Sequence, residues 1–148
     1  TDHKILTGNY ALPFFTKTEQ LFISAEAKFK TSDLPGAYAD YLAGISSSFV
    51  DGLKTQTEYD TYILQPTVAN GSANLTLEMI MTQKYIAMFL DPEAFADWRR
   101  TGIPSLTPNT GSQIPRRLPY PETEVLYNQN CPKPSVINIF TRVWWDLN

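Results

Sequence analysis

Residues 80–102 read IMTQKYIAMFLDPEAFADWRRTG, and this stretch decides the fold class because it holds two helices and the punctuation between them. Ile80, Met81, Met88 and Phe89, with Lys84 and Tyr85 between them, recur at the three-and-four spacing that puts apolar side chains on one helical stripe. Asp91-Pro92-Glu93 is a restart signal. Asp caps free backbone N–H groups, Pro tolerates the first helical position, and an early carboxylate suits the helix dipole. Arg99 and Arg100 complement the C-terminal end of the second helix, and Gly102 takes the left-handed conformation that closes it. An apolar stripe of this kind needs a partner, so the chain should supply further helices.

Upstream, it does. Thr16-Lys-Thr-Glu19 fits a capping box, and Leu21, Phe22, Ala25 and Phe29 then form one face of a helix ending near Lys30. Residues 32–36, SDLPG, make a turn from which Pro35 opens the next helix. The stripe of that helix is Tyr38, Tyr41, Leu42, Ile45 and Phe49, running to about Leu53. Two such helices on a short connection pack antiparallel, and the small Ala25, Ala27, Ala37 and Ala43 permit close approach. Thr57–Leu64 reads as a further short helix closed by Pro66, Asn70-Gly71-Ser72 as a turn, and Asn74 as the cap of the helix quoted above. No second copy of a repeat with a period of about 34 residues follows, so the residues alone support a helical hairpin and no array.

After Gly102 the character changes. Eight of the eleven prolines lie between Pro92 and Pro134, and the residues that precede proline, such as Ile114, Leu118 and Tyr120, are driven towards extended conformations. The expectation is a mobile loop over Thr107–Gln113, an extended strap over Ile114–Pro121, one helical turn at Glu122–Tyr127, and a short strand or packed tail over Ile137–Leu147. Thr1–Pro13 reads as a lead-in with turn character at Gly8-Asn9.

Four ordered motifs carry a family resemblance. FFTKTEQLFISAEAKFK with AYADYLAGI after it, QKYIAMFLDPEAFADWRRTGIP, IPRRLPYPETE and TRVWWD together resemble the C-terminal part of the SusD/RagB family, the SusD-like nutrient-binding lipoproteins of Bacteroidetes outer membranes. The resemblance runs from about Phe14 to Asp146. It implies a mostly α fold of tetratricopeptide-like helical hairpins, a portion of the family's α-α superhelix, with a Pro-rich extended C-terminal region. It implies one domain over 1–148, helical over 14–102 and extended over 103–148, with the N-terminal part of the family's fold lying upstream. It further implies a lipid-anchored protein on the face of the outer membrane that binds an oligosaccharide or other nutrient and closes as a lid over a SusC-like TonB-dependent transporter.

Composition bounds these expectations independently. Apolar residues at 43% and aromatics at 13% suit a folded chain of 148 residues and one domain. Twelve basic and fifteen acidic residues, with no Lys/Arg block longer than two, argue against nucleic acid as a partner. No apolar run approaches the length of a membrane span, about 18 residues. Cys131 is the only cysteine, in a loop with no histidine beside it, and His3 is the only histidine. Nucleophile–histidine pairs and a Cys/His zinc site therefore lack their members. The seven glycines are scattered, so no loop cradles phosphate, and no cofactor or metal is expected. Glu93 and Asp97, four apart, fit helix-dipole and ion-pair roles better than a glycosidase pair, so no catalytic residue is expected.

The functional candidates are aromatic. Sugars rest flat C–H faces on exposed rings, and Trp144, Trp145, Tyr59 and Tyr62 are of the right type, with Asp146 beside the tryptophans. Adjacent tryptophans in an extended tail point to opposite sides, so at most one of Trp144 and Trp145 is exposed. Asp97, Trp98, Arg99, Arg100, Arg116, Arg117 and Tyr120 are expected to be structural: the guanidinium groups donate to carbonyls left unpaired in the Pro-rich segment and stack on Trp98 or Tyr120. A helical protein-interaction module with no small ligand is the alternative from another class.

Overall fold

Local signals place six α-helices along the residues that the computed structural model describes, 13–146: α1 (Lys17–Lys30), α2 (Leu34–Asp51), α3 (Gln56–Ile63), α4 (Leu77–Ala87), α5 (Pro92–Thr101) and α6 (Glu122–Tyr127). No strand occurs among the described residues. The expected turn at Gly8-Asn9 and His3 lie outside them. The chain divides into two compact units, Thr1–Phe95 and Ala96–Asn148, and the division falls within α5.

In the first unit α1 and α2 form the antiparallel hairpin. Thr16 caps α1, its Oγ1 accepting from the Glu19 backbone N–H at 3.0 Å. Asp33 caps α2 with Pro35 in its first turn, its Oδ1 accepting from Gly36 N–H at 3.0 Å. Phe22 and Ala25 of α1 meet Ala37, Tyr41 and Ile45 of α2, all buried. Phe22 and Tyr41 pack edge to face at 6.4 Å, an arrangement that suits the ring quadrupoles. At Gly44 a Cβ would stand 3.0 Å from the Phe22 ring, so the glycine lets α2 pass close to that side chain. Of the four alanines expected in the seam only Ala25 and Ala37 are buried. Ala27 and Ala43 are exposed, whereas Gly44, not among those expected, is buried against the Phe22 ring.

Polar clasps fix the register of the hairpin at both ends. Thr18 Oγ1 donates to Asp51 Oδ2 at 2.8 Å, while Ser24 Oγ and Lys28 Nζ both reach Asp40 Oδ2. Burial works against the Asp40 charge, but those two donors outweigh it and hold its carboxyl below the usual aspartate value.

α4 lies against both helices and brings Ile80, Met81 and Met88 to the core. Two sequence expectations fail here. The cap is Thr76, whose Oγ1 accepts from Met79 N–H at 3.2 Å. Asn74 instead ends the 3-10 turn Ser72–Asn74 and donates its side-chain amide to the Asn70 carbonyl. Phe89 is exposed rather than on the buried stripe, because the helix stops at Ala87 and residue 89 no longer follows the helical spacing. Helix α2 likewise ends at Asp51 short of Leu53, which sits exposed at φ 57° while Lys54 N–H bonds back to the Phe49 carbonyl.

The second unit is mostly irregular chain. α5 closes at Gly102, at φ 72°, as expected of its C-terminal glycine. The backbone of the strap is tied to that of the tail at one carbonyl, Ile139 O, which accepts from Arg116 N–H at 2.7 Å and Arg117 N–H at 3.2 Å. The tail forms successive turns and no strand, since its backbone bonds run locally, as from Thr141 N–H to Asn138 O and Asp146 N–H to Val143 O.

Candidate functional site

Helix α3 begins with a cap that sequence reading missed. Thr55 Oγ1 accepts from Glu58 N–H, and the Glu58 carboxylate accepts from the Thr55 N–H at 2.8 Å, a reciprocal capping box. Those donors, the backbone N–H first, hold the Glu58 carboxyl below its usual value. The signal was present as Thr-x-x-Glu at 55–58, beginning two residues ahead of Thr57, where the helix was read to start.

The capped helix lays its tyrosines on α2. Tyr59 meets Phe49 edge-on at 5.8 Å and Tyr62 meets the same ring at 5.3 Å. Tyr62 Oη donates to Gln83 Oε1 of α4 at 2.9 Å, which fixes the ring. The Tyr59 hydroxyl is directed to the Leu42 carbonyl, and burial pushes its pKa up. Beside Tyr62 the two helices leave a shallow open cleft of about 350 Å³, lined by Phe49, Thr55, Glu58, Thr61, Tyr62 and Gln65 among others. Its surface is apolar with hydroxyl, amide and carboxylate groups at the edge, the mix that small-molecule sites use for contact and orientation. Tyr62 thus lines the cleft, while Tyr59 packs on Phe49, another of its lining residues.

In the second unit the tryptophans and arginines interleave. Arg116 spans Asp146 with two nitrogens, Nε to Oδ2 at 2.7 Å and Nη2 to Oδ1, and its guanidinium lies 4.4 Å from the centre of the Trp98 ring. Arg99 Nη1 donates to the Arg116 carbonyl at 3.0 Å, and its guanidinium lies 4.5 Å over Trp145. Arg100 pairs with Asp97 at 2.7 Å, one turn along α5. Arg117 sits 5.4 Å over Tyr120. Stacks of this kind combine ring–cation attraction with planar packing, and Arg suits them better than Lys because its charge is delocalised in a plane. Trp145 is therefore covered, whereas Trp144 is 90% exposed.

Glu93 stands exposed in the first turn of α5, where Asp91 Oδ1 accepts its backbone N–H at 2.9 Å. Cys131 is buried in a turn. Among the described residues no group of three His, Cys, Asp or Glu side chains is placed to hold a metal ion, and no helix is long and apolar enough to cross a membrane.

No curated protein and no solved structure matches the chain. A family model does: that of a SusD-like family, described as starch-binding and associating with the outer membrane, matches residues 1–121. The matched span takes in the whole hairpin, the cleft beside Tyr62, α4, α5 and the strap with Arg116 and Arg117. On a match over most of its length, and with the helical architecture that the ordered motifs imply, the chain belongs to the SusD-like family.

Proposed function

We propose that this protein binds a glycan or another nutrient at the bacterial cell surface, where a lipid anchor holds the full-length protein, and passes it unchanged to a SusC-like TonB-dependent transporter. The carrying observation is the family match over residues 1–121, since that family is described by starch binding at the outer membrane. Within the matched span, the cleft between α2 and α3 offers groups that suit a neutral saccharide. Tyr62 and Phe49 supply rings for the C–H faces of a pyranose, and Thr61, Gln65 and Glu58 supply hydroxyl, amide and carboxylate partners for its hydroxyls. Tyr59 supports the site through its ring contact with Phe49. The stacked arginines with Trp98, Trp145 and Tyr120 form the frame of the second unit rather than an anion site, because their guanidinium groups are engaged by rings, carboxylates and a carbonyl.

Calorimetric titration of the chain with malto-oligosaccharides and a panel of other neutral glycans tests this reading. Binding weakened about tenfold by Tyr62→Ala, with the far-UV circular dichroism unchanged, is the expected result, given what one ring contact is worth. Binding to a protein partner alone, with every glycan silent, would replace it with a helical protein-interaction module.

A further inference from the structure

The cleft beside Tyr62 carries a charge as well as rings. Among the described residues that line it, Glu58 alone is ionised, while Phe49 and Tyr62 supply rings and the remainder are Thr and Gln. The two oxygens of the Glu58 carboxylate are used unequally. Oε2 accepts from Thr55 N–H at 2.8 Å and from Thr55 Oγ1 at 2.9 Å, which pins the carboxylate at the start of α3. Oε1 stands 3.5 Å from Lys54 Nζ, a loose pair of side chains that are each about half exposed. A pair so placed is worth little in water and yields readily to a competing cation. The Thr55 donors also keep Glu58 charged into the acid range, since they hold its carboxyl below the usual value. The surroundings share its sign. Residues 49–65, from which the cleft is built, carry Asp51, Glu58 and Asp60 against Lys54, and residues 1–95 carry eleven Asp and Glu against six Lys and Arg.

We infer that this cleft takes a cationic amino sugar, an oligomer of glucosamine, with the protonated amine on the Glu58 carboxylate and the C–H faces on Tyr62 and Phe49. The inference rests on the proposed function, since it names the class of saccharide for the same site. Glu58 and Tyr62 stand four residues apart on α3, one turn along one face, with about 5–6 Å between Cβ atoms at such a spacing. That separation matches a pyranose ring and the amine carried beside its anomeric carbon. An ionised carboxylate only accepts, so it favours the group richest in donors. An ammonium offers three N–H donors and a charge, where a sugar hydroxyl offers one neutral donor, and charge-assisted bonds are about twice as strong. A uronic acid would set carboxylate against carboxylate. A basic peptide would bring the ammonium but no flat ring for Tyr62 and Phe49.

The test is calorimetric titration of the full chain with tetraglucosamine, cellotetraose and tetragalacturonate, at a mildly acidic pH that keeps the amines protonated. The first two share their linkage and differ by an ammonium in place of a hydroxyl on each ring. Tetraglucosamine is expected to bind about fivefold more tightly than cellotetraose at low salt, the size of one exposed ion pair. The preference should fade as salt rises, because the contact is screened. Glu58→Gln is expected to remove the preference. Glutamine also completes a capping box, so α3 should persist, with far-UV circular dichroism as the control. Lys54→Met, which removes the competing cation, is expected to strengthen the preference, and Tyr62→Ala to weaken both sugars together. A preference that survives Glu58→Gln would overturn the inference, and so would equal competition by tetralysine or tetragalacturonate bound as tightly as tetraglucosamine. Cellotetraose bound at least as tightly as tetraglucosamine, and weakened by Tyr62→Ala, would overturn it and leave the proposed function standing. If neither tetraglucosamine nor any neutral glycan binds, both fall together.

Discussion

Asp146 is the residue on which the second unit depends most. Its side chain is fully buried and its two oxygens are spanned by Arg116, whose guanidinium also covers Trp98. Asp146→Ala would remove the carboxylate that spans the largely buried Arg116 guanidinium, and removal of one partner of a buried pair costs about 3–5 kcal/mol. Loss of the cooperative near-UV signal of the tryptophans at lower urea concentration than in the unaltered chain is the expected readout. The motifs IPRRLPYPETE and TRVWWD were both legible, including the likelihood that guanidinium groups serve the Pro-rich segment. Which arginine meets which ring was not, because residues 30 apart are brought together only by the path of the intervening loops. The same holds for Tyr41, whose hydroxyl donates to the Val68 carbonyl at 2.7 Å, and whose burial pushes its pKa up. Its apolar spacing marked it as core, while its hydrogen-bond partner lies beyond α3.

At the level of elements, the α1–α2 hairpin combines a tight seam with a polar clasp, and each can be tested separately. Gly44→Ala places a methyl 3.0 Å from the Phe22 ring, so Phe22 must shift. Overpacking of this kind costs about 1–3 kcal/mol, against a gain of about 1 kcal/mol in helix propensity. Net destabilisation in chemical denaturation is expected, and relief by the double substitution Gly44→Ala with Phe22→Leu would show that the ring is the cause. The clasp is tested by pH. Because Asp40 titrates below its ordinary value of 3.8 when folded, the stability it contributes is present above that pH and is lost as pH falls through the lowered value. Asp40→Asn should therefore be less stable than the unaltered chain at neutral pH, with the difference narrowing below pH 3.8. A gap that stays constant down to pH 2 would mean that shape rather than charge holds the clasp, roughly the reverse of what linkage requires. Helix starts were legible at Thr16 and Asp91 from the capping residue and at α2 from Pro35, whereas the caps at Asp33 and Thr55 were not read. Between Asn74 and Thr76 sequence could not choose, since both residue types cap and the choice depends on how the preceding 3-10 turn lies on α2.

Across the whole molecule the two units differ in how their backbone is satisfied. In the first unit most described backbone groups lie in helices that pack on one another, whereas from Ile103 to Asp146 the bonds are mainly short turns and the pair accepted by Ile139 O. Amide hydrogen exchange should reflect this, because protection follows buried helical bonds. The slowest amides are expected in the middle turns of α1, α2 and α4, and within residues 103–121 only Arg116 and Arg117 are expected to exchange slowly. Uniform fast exchange across 103–146 would show that the bond to Ile139 O does not persist in solution. By itself the sequence determined the helical class, the hairpin, the restart at Asp91-Pro92, the extended character after Gly102 and the resemblance that the family match bears out. Those properties follow from local chemistry: caps, proline, and apolar residues at helical spacing. Only the tertiary structure decided that Tyr62 edges a cleft while Tyr59 braces it, that Trp145 is covered while Trp144 is bare, and that Arg142 alone among the arginines has no partner among the described residues. Exposure and partnership depend on which segments meet, and residues far apart along a chain do not announce that meeting in their spacing.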